Sequence, residues 1–262
     1  MSTPENSLPV LHTVSAMRQF RSTLPEPVAL VPTMGMLHRG HMSLIRLAAR
    51  RALSVVVSVY VNPTQLTSVE EQGAYPVNLD HDVQRLQHLK GELCRERQGH
   101  EYTVLAVFAP TDQELYPHGT DLRQRFCSHV VISPELTGVL EGEDHPTHFL
   151  GVGTVCLKLF NMVRPQLAVF GEKDYQQTVV IKRLVEEFLL GLEVVVAPTI
   201  READGLAVSS RNAFLGLERR AVAAVLHRAL KAGITTYQDE GKSCENERDK
   251  VREIRAIMSL LK

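Results

Sequence analysis

The chain has 262 residues with 29 Lys plus Arg against 30 Asp plus Glu, a formal net charge of -1. It lacks the basic excess of a nucleic-acid or membrane-surface binder, so its partner is expected to be a small molecule. The four cysteines, Cys94, Cys127, Cys156 and Cys244, show no CxxC spacing, which excludes a disulfide scaffold and fits reduced thiols in a cytoplasmic protein. No basic start followed by an apolar run opens the chain, and no apolar segment reaches the roughly 18 residues of a membrane span.

The first β-branched run, Ala29 to Val31, leads through Pro32, Thr33, Met34 and Gly35 into His38-x-Gly40-His41 and then a helical pattern over Met42 to Leu53. A strand that ends at glycine lets backbone approach a ligand, and the next helix turns unpaired N–H groups and a positive dipole end toward an anion. Two imidazoles three residues apart at that helix mouth read as phosphate donors. They could instead ligate a metal, but Arg39 and Gly40 stand where a zincin motif carries its glutamate, and no third ligand is close in sequence.

The next run, Ser54 to Val61, delivers Asn62-Pro63-Thr64-Gln65, whose amides can hold both a hydroxyl and a carboxylate; a plain Asn-Pro turn is the bland alternative. A helix is predicted over Asp80 to Leu89, then strands at Val104 to Phe108 and Val130 to Ile132. Glu141 to His148 is acidic and carries His145 and His148. It reads as a solvated lid rather than a metal site, since dense carboxylates stay in water. A helix over Val152 to Val163 precedes a strand at Leu167 to Phe170, and Gly171-Glu172-Lys173-Asp174 then opens a helix over Gln176 to Leu190.

Lys173 at that strand end can reach phosphate oxygens as a point charge, and Asp174 can cap a helix or hold a ribose hydroxyl. A last strand is predicted at Val194 to Ala197. Gly151-Val152-Gly153 lacks the third glycine of a dinucleotide fingerprint and no P-loop occurs, so both of those nucleotide-binding readings fail.

Short buried strands alternating with helices predict an α/β fold, a Rossmann-like doubly wound parallel sheet over residues 1–198. In such a sheet ligands sit beyond the carboxyl ends of the strands, where the Met34 to His41 turn falls. Residues 199–262 read as a small C-terminal domain. They comprise a polar loop over Ile200 to Phe214 with Val208-Ser209-Ser210-Arg211, helices over Leu217 to Gly233 and Ser243 to Leu261, and a polar connection from Gly233 to Glu247. Two hydroxyls and a guanidinium on a loop can close over a triphosphate, although this signal alone is weak.

From Val28 to Leu215 the motifs Pro-Thr-Met-Gly-x-Leu-His-x-Gly-His, Val-Asn-Pro-Thr-Gln, Lys-Leu-Phe-Asn, Phe-Gly-Glu-Lys-Asp-Tyr-Gln-Gln and Asp-Gly-Leu-Ala-x-Ser-Ser-Arg-Asn resemble the pantoate–β-alanine ligase family, members of the HIGH-type nucleotidyltransferase superfamily. The resemblance implies ATP-dependent condensation of (R)-pantoate with β-alanine through a pantoyl adenylate, giving pantothenate, AMP and pyrophosphate. It implies Mg²⁺ with the ATP and a homodimer.

By the same resemblance, Met34, His38, His41, Gly171, Glu172, Lys173, Asp174, Ile200, Val208, Ser209, Ser210 and Arg211 hold ATP, with His38, His41, Lys173 and Arg211 catalytic. His38 is expected as general acid or phosphate stabiliser. Gln65, Gln177 and Asn62 hold pantoate or β-alanine, Lys158 is a secondary candidate, and Asp82 is a weak metal candidate.

Three departures stand out. His145-Pro146-Thr147-His148-Phe149 replaces Arg-Pro-Gly-His-Phe, so an imidazole stands for a guanidinium beside the expected lid. The loop after Gln65 lacks the family's acidic and phenylalanine pattern, and Tyr75-Pro76-Val77-Asn78 replaces Tyr-Pro-Arg-Thr, changes that bear on dimer contacts and Mg²⁺ placement. The chain stops at Lys262, where the family continues with strands, so a shortened C-terminal domain is expected. Two other readings follow from the same residues: a nucleotidyltransferase that stops after attaching the nucleotide, and a nucleotide-binding regulator without turnover. The Gln65 and Gln177 pair favours the ligase over the first, and intact His38, His41, Lys173 and Arg211 argue against the second.

Overall fold

A computed structural model describes residues 8–66, 75, 77–96, 104–121 and 127–239. The chain divides into two compact units, Met1–Pro198 and Thr199–Lys262. The first is built on one six-stranded, wholly parallel sheet in the order β1-β4-β3-β2-β5-β6. Its strands are β1 (Val10–Leu11), β2 (Val28–Thr33), β3 (Ser54–Val59), β4 (Val104–Phe108), β5 (Leu167–Gly171) and β6 (Glu193–Ala197). Helices α1 (Val14–Arg21), α2 (Arg39–Arg51), α3 (Leu79–Glu96), α4 (His148–Val163) and α5 (Tyr175–Glu187) cover it.

The central strands are buried on both faces, which is why Val-Ala-Leu-Val and Ser-Val-Val-Val-Ser-Val read as continuous apolar runs rather than alternating ones. The period of two still sorts them. Leu30, Val56, Phe108 and Phe170 pack under α1, α4 and α5 with Met17, Phe149 and Ile181. Ala29, Val31, Val55, Val57 and Val169 pack under α2 and α3 with Ile45, Ala48 and Leu86. Helices therefore lie on both faces.

The direction of the chain reverses across the sheet between β2 and β5, which makes their carboxyl ends the place for a ligand. There the ladder is cut short. β2 pairs with β3 along its whole length, Val28↔Ser54 through Thr33↔Val59, but with β5 only at Ala29↔Leu167 and Leu30↔Ala168. The cause is Pro32. The Val28 carbonyl accepts from Gln166 and the Thr33 carbonyl from Tyr60, so by alternation Leu30 and Pro32 direct their backbone groups at β5, and Pro32 has no N–H to give. The two strands end their pairing there, below the loops that carry His38 and Lys173.

Three expectations change. Val130 to Ile132 is not a strand: the Val130 N–H donates to Thr154 Oγ1 of α4 at 2.9 Å, and Val131 lies out in solvent. Val10–Leu11, too short to show a periodicity, does pair with β4. In the second unit the helix expected over Leu217 to Gly233 breaks at Ala224 into α6 (Leu217–Ala223) and α7 (Val225–Asp239), and α7 continues through the first residues of the expected polar connection. The helix expected over Ser243 to Leu261 falls outside the described residues. Among those residues no helix is long and apolar enough to cross a membrane, and Cys94, Cys127 and Cys156 are free.

Arg21, buried at the end of α1, closes the other end of α4. Its Nε donates to the Val163 carbonyl at 2.6 Å, and its Nη2 to the Arg164 carbonyl at 3.0 Å and to Glu26 Oε1 at 2.7 Å. These carbonyls are among the last of a helix that has no partners for them within its own turn. Arg21→Met keeps the packed stem but strands both acceptors, so the urea midpoint should fall by the equivalent of about 2–4 kcal/mol. A midpoint unchanged from the wild type would show that water replaces the guanidinium there.

Candidate active site

The turn after β2 is built under strain and held by one carboxylate. Gly35 has φ +82° and Met36 φ +49°, a conformation that glycine adopts freely and methionine does not. Asp82 of α3 fixes it: Oδ2 accepts from the Met36 N–H at 2.8 Å and Oδ1 from the Leu37 N–H at 2.7 Å. Burial pushes the Asp82 carboxyl above its usual range, against the pull of these two hydrogen bonds. Both oxygens of the weak metal candidate thus already serve the turn. No group of three or more His, Cys, Asp or Glu able to hold a metal occurs among the described residues.

His38 caps α2 with extended backbone, so the first turn of the helix opens beside its ring, the His38 side chain facing the His41 N–H and the His41 side chain facing the His38 N–H in a reciprocal capping box. The His38 and His41 rings stack, centroids 3.9 Å apart and 18° from parallel. The backbone N–H of His38 donates to His41 Nδ1 at 3.3 Å. A backbone N–H can only donate, so Nδ1 of His41 is the unprotonated nitrogen and its Nε2 carries the hydrogen. His38 Nδ1 is buried without a hydrogen-bond partner, a polar atom waiting for one.

Burial, with Lys173 and Arg85 close by, lowers the His38 pKa to about 4. Burial, the neighbouring His38, Lys173 and Arg85 lower that of His41 to about 3. Both rings are neutral near pH 7, so of the two roles expected of His38 the site favours neutral hydrogen-bond donor over imidazolium acid. The charge of Lys173, on the turn after β5, acts on both histidines across the β2–β5 opening. Lys173 Nζ is 3.4 Å from Asp174 Oδ1 on the solvent-facing turn that Gly171 starts. Arg85 of α3, which the sequence did not single out, is a second cation whose charge acts on both rings.

The amides emerge one strand away. Gln65 is half-buried in the turn after β3, whereas Asn62 is only 1% exposed and spends its amide inward. The geometry therefore makes Asn62 a support for Gln65 rather than a surface of its own. His148, the first residue of α4, joins its Nδ1 to the Gln65 carbonyl at 2.9 Å, which gives it a positioning task instead of metal ligation. Gly151 lets α4 come this close: a Cβ there would lie 2.3 Å from the Thr64 carbonyl oxygen.

Of the neighbouring glutamines, Gln177 is half-buried on the first turn of α5. Gln176, which sequence reasoning passed over, donates to the Leu136 and Val139 carbonyls at 2.9 and 2.7 Å and accepts from the Glu141 N–H at 3.2 Å. It pins the acidic segment expected as a solvated lid. Lys158 lies behind the site, its Nζ donating to the Leu115 carbonyl at 2.5 Å. Of the loop between Gln65 and α3, only Leu66, Tyr75, Val77 and Asn78 are among the described residues; Val77 is exposed and Asn78 Oδ1 accepts from the His81 N–H at 3.0 Å.

The second unit holds the remaining candidates. The Val208 N–H donates to the Ile200 carbonyl at 2.9 Å, across the antiparallel bridge Arg201↔Ala207. Ser209 Oγ accepts from the Arg211 N–H at 3.3 Å, opening the short turn Ser210–Phe214. Met34 sits half-buried where β2 gives way to its turn.

Residues 9–260 match the family described as pantoate-beta-alanine ligase. The pantothenate synthetase of Chloroflexus aurantiacus is 41% identical over 247 residues, which span 94% of this chain and 80% of that protein. That of Thermus thermophilus is 45% identical over 223 residues, 85% and 74% of the two. Among solved structures, a pantothenate synthetase from Thermus thermophilus superposes with TM-score 0.77 at 40% identity, covering 97% of this chain and 83% of that one. Pantoate-beta-alanine ligase from Francisella tularensis, complexed with beta-gamma ATP and beta-alanine, gives 0.75 at 30% identity, covering 96% and 86%.

A Cβ at Gly40 would lie 2.9 Å from His38 Cε1 and 3.0 Å from its Nδ1. The ring can swing away, so Gly40→Ala should leave thermal stability unchanged or raise it, because alanine favours helix. The displaced donor should lower the phosphate-dependent rate by about 10- to 100-fold, as misplacement of one oriented group does; a normal rate would mean that the ring position is immaterial.

The depressed pKa values also set a pH dependence. Between the unfolded value of 6.5 and the folded values, about 4 for His38 and about 3 for His41, the unfolded chain binds more protons than the folded one, so stability is full above that window and falls as pH drops through it. Urea midpoints at pH 7 and 5 should differ in that direction, and His41→Asn should flatten the difference.

Proposed function

The chain belongs to the pantoate-β-alanine ligase family, and on that premise we propose that the β2–β5 opening is its adenylation centre. The enzyme condenses pantoate with β-alanine using ATP. The pantoate carboxylate attacks the α-phosphorus, pyrophosphate leaves, and the acyl adenylate is then attacked by the amine of β-alanine to give pantothenate and AMP. The observation that carries this reading is the meeting of two neutral imidazoles, a helix N-terminus and Lys173 at the point where β2 and β5 stop pairing.

Phosphoryl chemistry asks little covalent work of a protein; alignment and charge stabilisation supply most of the rate. Nε2–H of His41, a ring N–H of His38 and the first N–H groups of α2 offer neutral donors to the triphosphate. Lys173 adds the positive charge that follows pyrophosphate as it leaves, and Glu172 and Asp174 flank it on the same turn. We assign Gln65 and Gln177 to pantoate and β-alanine, and Met34 and Gly171 to the nucleotide. Ile200, Val208, Ser209, Ser210 and Arg211 are proposed, on the ground of family membership, as residues that bind ATP.

Mg²⁺ is proposed to arrive on the triphosphate as part of the substrate, because the described residues form no cage for it and the Asp82 oxygens are engaged. Family membership is also the ground for proposing a cytoplasmic homodimer.

Pantoate-dependent exchange of labelled pyrophosphate into ATP should occur without β-alanine, and AMP and pantothenate should form once it is added. His38→Ala and Lys173→Ala should each cut exchange by about 10²- to 10³-fold, the size expected for one oriented donor to a developing oxyanion, with circular dichroism unchanged. Binding of ATP without exchange would refute the ligase reading.

A further inference from the structure

Behind Gln65 lies a buried polar network that the chemistry above does not use. Asn62 Oδ1 accepts from the Thr64 N–H at 3.3 Å, from Thr64 Oγ1 at 2.9 Å and from the Tyr116 hydroxyl at 3.0 Å. On the other side Asn62 Nδ2 donates to the Gly151 carbonyl at 3.4 Å and to Gln65 Oε1 at 2.7 Å.

Amide orientation is normally an assignment, because oxygen and nitrogen look alike. Here two backbone groups decide it. The Thr64 N–H can only donate, so the Asn62 atom facing it is the oxygen; the Gly151 carbonyl can only accept, so the Asn62 atom facing it is the nitrogen. That nitrogen can only donate in turn, so the Gln65 atom it meets is the oxygen. The NH₂ of Gln65 is the group left over, and no described residue accepts from it.

Tyr116 holds the far end of this relay. It is 5% exposed, burial raises its pKa to about 12, and Lys158 Nζ sits 3.8 Å above its ring. A cation over the ring strengthens the phenol as a donor, which suits its bond to Asn62.

We propose that Tyr116 is a positioning residue which, through Asn62, fixes the Gln65 amide with its NH₂ toward the ligand, so that this part of the cleft selects a substrate presenting acceptor oxygens, as a hydroxy acid does. The inference rests on the ligase reading. A site built to donate discriminates against a ligand that offers hydrogen there, because two donors then face each other unpaired.

Two variants test it alongside wild-type pyrophosphate exchange. Tyr116→Phe removes one donor and leaves those of Thr64, so the KM for pantoate should rise about 3- to 10-fold, the effect of one buried hydrogen bond. The KM for ATP, kcat and thermal midpoint should stay near wild type. Asn62→Asp cannot donate to Gln65 and turns its amide over, so the pantoate KM should rise by more, about 30-fold or beyond, since an acceptor then faces an acceptor.

Exchange by the wild type with pantoate KM in both variants within about 2-fold of it would overturn the inference and leave the activity standing. A parallel loss of ATP affinity and thermal stability in Tyr116→Phe would also overturn it, by making the network merely structural. Absence of exchange in the wild type would overturn inference and activity together.

Discussion

Pro32 removes one backbone donor from the middle of a parallel sheet, and the geometry of the site follows from that loss. A central strand with a partner on each side normally pairs to its end. β2 does so toward β3 and stops after Leu30 toward β5. The gap falls where the winding direction of the fold changes, so a topological crevice becomes a real opening with the histidine turn on one lip and the Lys173 turn on the other. A strand residue with an N–H at position 32 could carry the ladder further and draw the two lips together.

The opening would be of little use if the histidine turn were loose. Its backbone includes a non-glycine residue in the left-handed region, a strain of about 1–3 kcal/mol, and the compensation comes from α3 through Asp82. A buried carboxylate without partners would itself be costly, but the two N–H groups it accepts are ones that the turn would otherwise leave unsatisfied. Strain and buried charge thus offset one another, and what remains is a rigid presentation of His38 and His41 at a helix mouth. Rigidity has a second effect: two stacked, desolvated imidazoles beside Lys173 and Arg85 are poor hosts for another proton. The site keeps its positive charge on long cations at the rim and its neutral donors at the centre.

Much of this was legible in the chain. Runs such as Ser54 to Val59 announce buried parallel strands through β-branched residues, and the His38-x-Gly40-His41 spacing after a glycine turn announces two imidazoles at a helix mouth beyond a strand end. What the sequence hides is the direction in which a polar group points. Asn62 and Gln65 look equivalent as amides after a strand, yet one is buried support and the other half-exposed. Gln176 and Gln177 are adjacent, and the helix phase that sends Gln176 to the Leu136 and Val139 carbonyls is set by tertiary contact. Val130 to Ile132 has strand composition, but its first N–H is claimed by the Thr154 hydroxyl. Tyr116 and Arg85 carry no motif, and their partners lie far away in sequence.

The two halves of the first unit's site solve the same problem in different ways. At the histidine turn, donors are fixed because backbone geometry assigns them: an N–H that cannot accept sets the tautomer of His41. At the amides, donors are fixed because a buried network assigns them, again starting from backbone groups with a single hydrogen-bonding role. In both places the ambiguous side chain, an imidazole or an amide, is resolved by an unambiguous peptide group one step behind it. On the proposed assignment, such an arrangement presents hydrogen rather than lone pairs to the ligand without placing a permanent charge at the centre. That suits a reaction whose substrates are anionic at carboxylate and phosphate alike, because neutral donors stabilise each anion without binding any one so tightly that it cannot leave.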